Sequence, residues 1–263
     1  MPRITVTPSG TSTTSWKLHT NEAIGRSIAP RSGSQANALG HPISVAKPTG
    51  INIGKIAIID IDAIHVVNLK HRTDRREEVE REIQKAVDAG IFPDIKPVFV
   101  NRLPKGGLIP LSFGSVSFYQ TGCEHQRIME QLFQEKRNLS LILEDDAEWT
   151  PSFFAGIADF WSDVQKHAPD WLALFLGGSD VNGRTPVEGS SLVALNNGST
   201  QCHAYIVNRA GLLRLYDHLY VDKGIIDWAY VNMMRVDQCC YSPSSEWFAN
   251  PRKSWSDNAK QIQ

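Results

Sequence analysis

The chain has 263 residues, of which 41% are hydrophobic, and this suits one medium α/β domain with or without a tail. Its 27 basic and 28 acidic residues give a formal net charge of −1. This balance excludes a strong overall field for nucleic acid or an anionic membrane surface, although a local basic patch stays possible.

The cysteine content and the hydropathy pattern indicate the compartment. The four cysteines include no CxxC pair, which argues against a zinc site and against a disulfide framework. The chain lacks an N-terminal signal core and any run of about 20 apolar residues that would span a membrane. We therefore expect a cytoplasmic protein without a membrane span, and peripheral association with a membrane stays open.

The first 50 residues differ in composition from the rest. The stretches TPSGTSTTS and APRSGSQANALGHP are rich in Ser, Thr, Gly and Pro. Such a segment buries too little apolar surface to offset its ordering entropy. We predict a disordered tail over residues 1–50, either a processing leftover or a functional arm, and a single domain over residues 51–263.

From Ile56 onward, apolar runs alternate with amphipathic segments. The patterns predict strands in residues 56–69, 96–101, 139–143, 171–178, 192–197 and 203–208, and helices in residues 72–90, 123–136, 152–168 and 209–219. This alternation predicts an α/β fold with a mostly parallel sheet and helices on both faces. Ligands bind such sheets at the carboxyl ends of the strands, where VVNLKHRTDR and LILEDD lie.

Three consecutive carboxylates, Glu144, Asp145 and Asp146, end the predicted strand LILEDD. Hard oxygen ligands at a strand end suit Mg²⁺ or Mn²⁺. Because alternate residues of an extended segment share a side, Glu144 and Asp146 should face one site and Asp145 another. The alternative explanation is an acidic turn that precedes a helix and caps it.

Arginines follow the first predicted strand, in NLKHRTDRR, at positions 72, 75 and 76. Guanidinium groups suit the recognition of phosphate or carboxylate. Arginines near a helix start oppose the helix dipole, so an anionic partner would explain them. Solvated arginines at a helix N-terminus are the alternative.

Five short motifs, in this order, resemble glycosyltransferase family 25. They are VVNLKHRTDRR, CEHQRIMEQL, LILEDD, HAYIVNRAGLLRL and IIDW, and the resemblance covers about residues 60–257. That family includes lipooligosaccharide sugar transferases and collagen galactosyltransferases. The chain departs from the family pattern at Glu124, Met129 and Leu212, where Ser, Trp and Ala are usual. These departures concern the acceptor more than the donor chemistry.

The resemblance implies a GT-A fold with a single Rossmann-like domain, a nucleotide-sugar donor and a divalent cation, Mn²⁺ or Mg²⁺. It implies that Asp146 binds the metal. It also implies a donor-binding group in which the first four residues line the nucleotide pocket and the last two contact ribose or sugar hydroxyls: Asn68, Leu69, Arg72, Arg75, Glu144 and Asp145.

The resemblance also implies roles for two further aspartates. Asp227, in GIIDWAYVNMM, matches the family's acidic element and is the candidate general base or acceptor-hydroxyl contact, with a helix N-cap as the alternative. Asp257 lies where many GT-A enzymes place a late metal ligand or a lid, and a polar C-terminal tail explains it as well. On the strand HAYIVN, Tyr205 and His203 are expected to be structural, with a pocket role for His203 left open.

The combined prediction is a metal-dependent inverting glycosyltransferase that moves galactose or glucose from a uridine diphosphate donor to an acceptor hydroxyl. The acceptor stays open: a glycan, a lipid-linked glycan, a protein or a modified nucleobase. The alternatives are a nucleotidyltransferase-like enzyme and a non-catalytic carbohydrate-binding module. A nucleotidyltransferase should carry a Gly-rich phosphate loop near the first strand, and VVNLKHRTDRR has none.

Overall fold

The computed structural model describes residues 57–101, 116–221 and 225–252. The chain divides into two units, residues 1–51 and 52–263, and every described residue belongs to the second unit. The tail predicted over residues 1–50 lies outside the described residues, and so does Asp257.

The described residues form five helices and ten strands. The helices are α1 (Thr73–Asp88), α2 (Val116–Gln134), α3 (Pro151–His167), α4 (Arg209–Val221) and α5 (Ile226–Asp237). The strands are β1 (Ala63–Asn68), β2 (Val98–Asn101), β3 (Leu139–Glu144), β4 (Ala147–Trp149), β5 (Ala173–Asp180), β6 (Arg184–Pro186), β7 (Val193–Asn196), β8 (Ser199–Asn208), β9 (Cys240–Pro243) and β10 (Ala249–Pro251). Within these segments, no helix combines the length and the apolar character that a membrane crossing needs.

Eight strands form one sheet in the order β2-β1-β3-β8-β5-β9-β7-β6. β1 is parallel to β2 and β3, and β5 is parallel to β9, but the other four pairings in this sheet are antiparallel. The α/β class is therefore confirmed, whereas the prediction of a mostly parallel sheet is wrong. The reason is that the chain returns from β5 to β8 through β6 and β7, without the crossover helix that parallel neighbours need.

Apolar layers cover both faces of this sheet, as the sequence predicts. On one face, β-strand side chains such as Val66 pack with Ile83 of α1 and Phe160 of α3. On the other face, Val67 packs in the layer to which α2, α4 and α5 contribute, for example through Met233. Because successive side chains of a strand point to opposite faces of the sheet, Val66 and Val67 belong to two separate cores.

Local boundaries differ from the predictions in a few places. α3 begins at Pro151, one residue before the predicted start, and its N-cap is Thr150, whose hydroxyl accepts a hydrogen bond from the Phe153 amide at 3.3 Å. α2 begins at Val116, seven residues before the predicted start. The strands β4, β6, β9 and β10 were not predicted, because runs of three or four residues carry too little periodicity.

The short strands β4 and β10 form a second, antiparallel sheet next to the turn that follows β3. Backbone hydrogen bonds join the Arg252 amide to the Asp146 carbonyl at 2.7 Å and the Phe248 amide to the Leu176 carbonyl at 2.8 Å. Trp149 of β4 stacks on Phe153 with ring centroids 4.1 Å apart. This second sheet ties the Asp146 backbone to the end of the described chain.

Candidate ligand site at the strand ends

The sheet topology brings the predicted site residues to one edge. β1 and β3 are parallel with Val67 opposite Glu144, so the residues that follow both strands lie side by side. β8 is antiparallel to β3, so its first residues lie at the same edge. We call this group the strand-end site and define it as Asn68, Arg75, Glu144, Asp145, Asp146, Gln201, His203 and Asp227.

Two buried side chains hold Asp145. Asn68 Nδ2 donates a hydrogen bond to one carboxylate oxygen at 2.9 Å, and Arg75 Nη1 donates to the other at 2.9 Å. The side chains of Arg75 and Asp145 are 7% and 11% exposed, so this ion pair is shielded from water. Both oxygens of Asp145 are therefore engaged inside the protein, and Arg75 orients this carboxylate.

Asp146 has a different environment from Asp145. Its Oδ2 lies 4.0 Å from Arg75 Nη1, while its Oδ1 is buried and meets no hydrogen-bond partner within the described residues. Burial, followed by the charge of Asp145, raises the pKa of Asp146, and the charges of His203 and Arg75 oppose that rise. Ionised Asp146 is thus under-compensated, which is the condition that a bound cation would relieve.

The predicted alternation of the three carboxylates is wrong. β3 ends at Glu144, and Asp145 and Asp146 form a turn, so the period of two stops at the strand end. Asp145 and Asp146 both approach Arg75. Burial, followed by the charges of Asp227 and Glu144, raises the pKa of the buried Cys202 thiol.

Asp227 belongs to the site and is not the cap of its helix. The N-cap of α5 is Ile225, and Asp227 lies in the first turn. Its Oδ1 accepts a hydrogen bond from the Gln201 amide of β8 at 2.7 Å. Burial raises the pKa of Asp227, and the Gln201 hydrogen bond opposes the rise. The alternative explanation of Asp227 as an N-cap is therefore wrong.

Gln201 joins Asp227 to His203. Its φ of 52° lies in the left-handed region, which residues other than glycine adopt rarely. Its amide binds Asp227, and its carbonyl oxygen lies 2.8 Å from His203 Nδ1. Since this backbone torsion leaves no mark in the sequence, the pattern HAYIVN did not reveal that His203 belongs to the site.

Other predicted residues surround the strand-end site. Arg72 binds the neighbouring Asp74 at 3.0 Å and lowers the pKa of that carboxyl to about 2. The Leu69 carbonyl oxygen accepts a hydrogen bond from the Arg72 amide at 2.8 Å. Both residues lie between Asn68 at the end of β1 and the start of α1. Tyr205 is fully buried, with its hydroxyl 3.0 Å from His125 Nδ1, which agrees with its predicted packing role.

Ligands of open α/β sheets bind at the strand ends, and in this protein acidic, basic and imidazole side chains meet at that edge. No protein-family model matches the chain. A human protein named inactive glycosyltransferase 25 family member 3 is 27% identical over 172 residues, covering 60% of this chain and 29% of that protein. A Drosophila melanogaster protein named glycosyltransferase 25 family member is 26% identical over 185 residues, covering 63% and 29%.

A third relative is mouse procollagen galactosyltransferase 2, which is 25% identical over 138 residues, covering 48% of this chain and 22% of that protein. The chain is therefore a distant homologue of two proteins named for glycosyltransferase family 25 and of a procollagen galactosyltransferase, and the resemblance carried by its motifs is confirmed. The chain spans less than a third of the length of each of these relatives.

Solved structures show a weaker likeness. Mouse xyloside xylosyltransferase 1 in its apo form gives a TM-score of 0.35 at 12% identity, covering 69% of this chain and 84% of that chain. A UDP-glucose pyrophosphorylase complexed with UDP-glucose gives a TM-score of 0.38 at 9% identity, covering 72% and 74%. At these TM-scores the likeness does not establish a common fold.

Proposed function

We propose that this protein is a metal-dependent glycosyltransferase that transfers galactose or glucose from a UDP-sugar to an acceptor hydroxyl with inversion. Its relatives support a sugar transferase, and one of them is named for galactose transfer. The observation that carries the proposal is the buried Asp146 Oδ1, which has no hydrogen-bond partner among the described residues. A GT-A arrangement fits the α/β sheet with its acidic strand ends.

The residues present fit a hard divalent cation, Mn²⁺ or Mg²⁺, at Asp146. No group of three His, Cys, Asp or Glu side chains in the described segments is arranged to hold a metal. Such cations often bind through one or two protein ligands plus substrate phosphates and water, and Asp257 is a further proposed ligand. When bound, the cation would stabilise the negative charge that the departing UDP gains.

The other strand-end residues would bind and orient the donor. Asp145, held by Asn68 and Arg75, presents a fixed carboxylate for ribose or sugar hydroxyls. Glu144 is the second proposed hydroxyl partner. Leu69 and Arg72, at the start of α1, would line the nucleotide pocket beside Asn68.

In the transfer step, the acceptor oxygen forms a bond to the anomeric carbon while the bond from that carbon to the diphosphate oxygen breaks. The bonding electron pair leaves with UDP, and the acceptor proton moves to Asp227. The Gln201 amide occupies Asp227 Oδ1, so Oδ2 is the proposed proton acceptor. The raised pKa of Asp227, caused by burial, brings this carboxylate closer to the working range of a general base.

One specific observation favours a second candidate, a non-catalytic carbohydrate-binding domain. The human relative is named inactive. Such a domain would bind a nucleotide sugar or a glycan without releasing UDP.

The acceptor of the proposed enzyme stays a glycan, a lipid-linked glycan, a protein or a modified nucleobase. The four free cysteines support our proposal of a cytoplasmic location.

The test is to incubate the purified protein with a panel of nucleotide sugars and Mn²⁺ and to measure UDP release. We expect release from UDP-galactose or UDP-glucose, its loss with excess chelator, and its recovery when Mn²⁺ or Mg²⁺ is restored. Activity that survives excess chelator would refute the metal requirement. Donor binding without UDP release would favour the carbohydrate-binding domain.

The matched variant in this assay is Asp227→Asn. Its amide oxygen can still accept from the Gln201 amide, so the local structure is kept while the basic group is removed. We expect transfer to fall by about 10²- to 10⁴-fold with donor affinity within a few-fold of the parent. Transfer at the parental rate would move the base to another carboxylate, such as Glu144.

A further inference from the structure

We propose that the exposed face of α4 is a dimer interface, in which two copies of this chain pack their α4 helices antiparallel about a two-fold axis at Leu213. This inference goes beyond the proposed function and does not depend on it, because it uses no residue of the strand-end site. The face is thereby assigned to one occupant, a second copy of the same chain.

The first observation is an apolar surface on α4 and the adjoining part of α2. Leu213 is 46% exposed, and Phe133 of α2 is 43% exposed. Tyr220 is 83% exposed and lies seven positions after Leu213, which is the same side of the helix. Apolar and aromatic side chains of both helices line a groove of about 250 Å³ between them: Met129, Phe133, Leu212, Leu213 and Tyr216. Adjoining apolar side chains at the surface, unlike single ones, mark interaction sites.

The second observation is the order of charges along α4. Arg209 lies four positions before Leu213, and Asp217 lies four positions after it. All three residues therefore lie along one side of the helix. When two such helices pack antiparallel, a two-fold axis at Leu213 places each Arg209 opposite Asp217 of the partner subunit. The face is thus complementary in charge to a second copy of itself.

The same axis also pairs side chains of complementary size. Ala210 lies three positions before Leu213, and Tyr216 lies three positions after it. The axis therefore places each Tyr216 over Ala210 of the partner subunit, where the small exposed side chain leaves room for the ring. Leu213 meets its own copy at the axis, beside the groove.

The charges on this face are only weakly engaged within one copy. The Arg209 guanidinium carbon lies 4.6 Å from the Phe133 ring centroid, and Nη1 lies 3.5 Å from the Arg137 carbonyl oxygen. The Asp217 side chain is 69% exposed, and its Oδ2 lies 3.9 Å from Arg214 Nη1. Arg214 itself binds a different carboxylate, at the end of α5, at 2.9 Å. Arg209 and Asp217 can therefore form closer ion pairs across the axis while breaking no strong bond.

A membrane surface is the other occupant that exposed aromatic side chains would suit. A helix that lies on an anionic membrane carries lysine and arginine along its polar face. Here the groove carries Glu130, and the exposed face of α4 carries Asp217 beside Arg209. Mixed charges of this kind favour a second copy of the chain over an anionic lipid surface.

The interface is small, because α4 has 13 residues and only the adjoining part of α2 extends it. Stable complexes bury about 1,200–2,000 Å² of surface, and smaller contacts belong to weak or transient complexes. We therefore expect a dimer that dissociates on dilution.

The experiment is sedimentation equilibrium of the full chain over a series of concentrations. The average mass should rise from that of one chain towards that of two chains. Leu213→Asp places two like charges at the axis and should keep the protein monomeric. Phe154→Asp is the matched control, because Phe154 is 40% exposed on α3, which covers the opposite face of the sheet. It should dimerise like the parent, and circular dichroism identifies any variant that fails to fold.

Charge exchange tests the antiparallel arrangement. Arg209→Glu and Asp217→Arg each place two pairs of like charges across the axis, so each variant alone should associate at least about tenfold more weakly than the parent. Both substitutions suit the dipole of α4, with an acid at its start and a base towards its end, so both should fold. In an equimolar mixture of the two variants, opposite charges face each other at both places, and dimers should form again.

The outcomes decide the proposal. A chain that stays monomeric up to about 1 mM would overturn it, and so would a dimer that Leu213→Asp leaves intact. A mixture that associates no better than the single variants would overturn the antiparallel arrangement. A monomer that binds vesicles of phosphatidylcholine and phosphatidylserine, and loses this binding in Leu213→Asp, would assign the face to a membrane surface instead. Because UDP release is measured separately, each of these results leaves the proposed function untouched.

Discussion

At the scale of single residues, burial gives Arg75 of the motif NLKHRTDRR a structural role that the motif alone does not indicate. Arg75 follows the first strand of the sheet, and its guanidinium lies against Asp145 in a shielded ion pair at 2.9 Å. Removing one member of a buried pair leaves the other charge uncompensated. Arg75 is therefore expected to stabilise the fold as well as the proposed donor pocket.

We predict that Arg75→Ala lowers the free energy of unfolding by about 3–5 kcal/mol, measured by urea denaturation. Arg76→Ala is the matched control on the next residue, since Arg76 is about half exposed and pairs with Glu80 at 3.2 Å. Its loss should cost about 0.2–1 kcal/mol. Similar losses in the two variants would mean that the Asp145 pair contributes no more than a surface pair.

Asp146 gives a prediction of pH dependence. Its folded pKa is raised above the ordinary 3.8, so ionisation costs the folded state more than the unfolded state. Stability should therefore fall as pH rises from below 3.8 through the raised pKa, and the whole cost is present above that pKa. In metal-free protein, Asp146→Asn should raise Tm at pH 7 by about 2–4 °C, the effect of about 1 kcal/mol in a domain of this size.

This gain should shrink as the pH is lowered from 7 to 4, because protonation of the parental carboxyl removes the cost of its buried charge. Thermal unfolding by circular dichroism at both pH values measures the difference. Glu148→Gln is the control, since Glu148 is exposed on β4. A lower Tm for Asp146→Asn at pH 7 would mean that attraction to Arg75 outweighs the cost of burial.

At the scale of elements, α5 has a strained backbone at its C-terminal end. α5 carries Asp227 in its first turn, and its C-cap is Gln238, which has φ 53° and ψ 26°. A left-handed residue after a helix is favourable for glycine and costly for a residue with a β-carbon. The helix that presents Asp227 therefore ends in a residue that is not optimal for stability.

Replacing Gln238 by Gly should stabilise the protein by about 0.5–1 kcal/mol. Glycine has no β-carbon and so removes the steric strain at positive φ, and this gain exceeds the additional conformational entropy that glycine loses on folding. The measurement is the urea midpoint at constant m-value. Gln238→Ala keeps the β-carbon and should give no such gain. Stabilisation by Ala equal to that by Gly would assign the effect to the lost side chain instead of the torsion.

At the scale of the whole molecule, the described fold contains both apolar cores. The helices and strands of residues 57–101, 116–221 and 225–252 fill the two layers on the main sheet. The composition of residues 1–50, rich in Ser, Thr, Gly and Pro, predicts that this segment adds little to either layer.

We predict that deletion of residues 1–50 changes Tm by less than about 2 °C. Differential scanning calorimetry of the full and shortened chains measures this difference. A drop of about 10 °C would show that the segment packs against the domain and that the predicted boundary is misplaced.

The sequence by itself determined the α/β class, most of the longer helices and strands, and the set of acidic and basic residues at two strand ends. These features depend on local periodicity and on short motifs, which one chain displays directly. It also determined the resemblance to glycosyltransferase family 25, because the order of five motifs needs no tertiary contact.

Only the tertiary structure decided the antiparallel entry of β8 between β3 and β5, and with it the position of His203 at the sheet edge where β3 ends. It also decided that Arg75 pairs with Asp145 and that Asp227 binds the Gln201 amide. The reason is physical: these contacts join residues 26 to 70 positions apart, through a non-helical return of the chain and one unusual backbone torsion. Local preferences do not encode such contacts, because they depend on which strands pair once both apolar layers are buried.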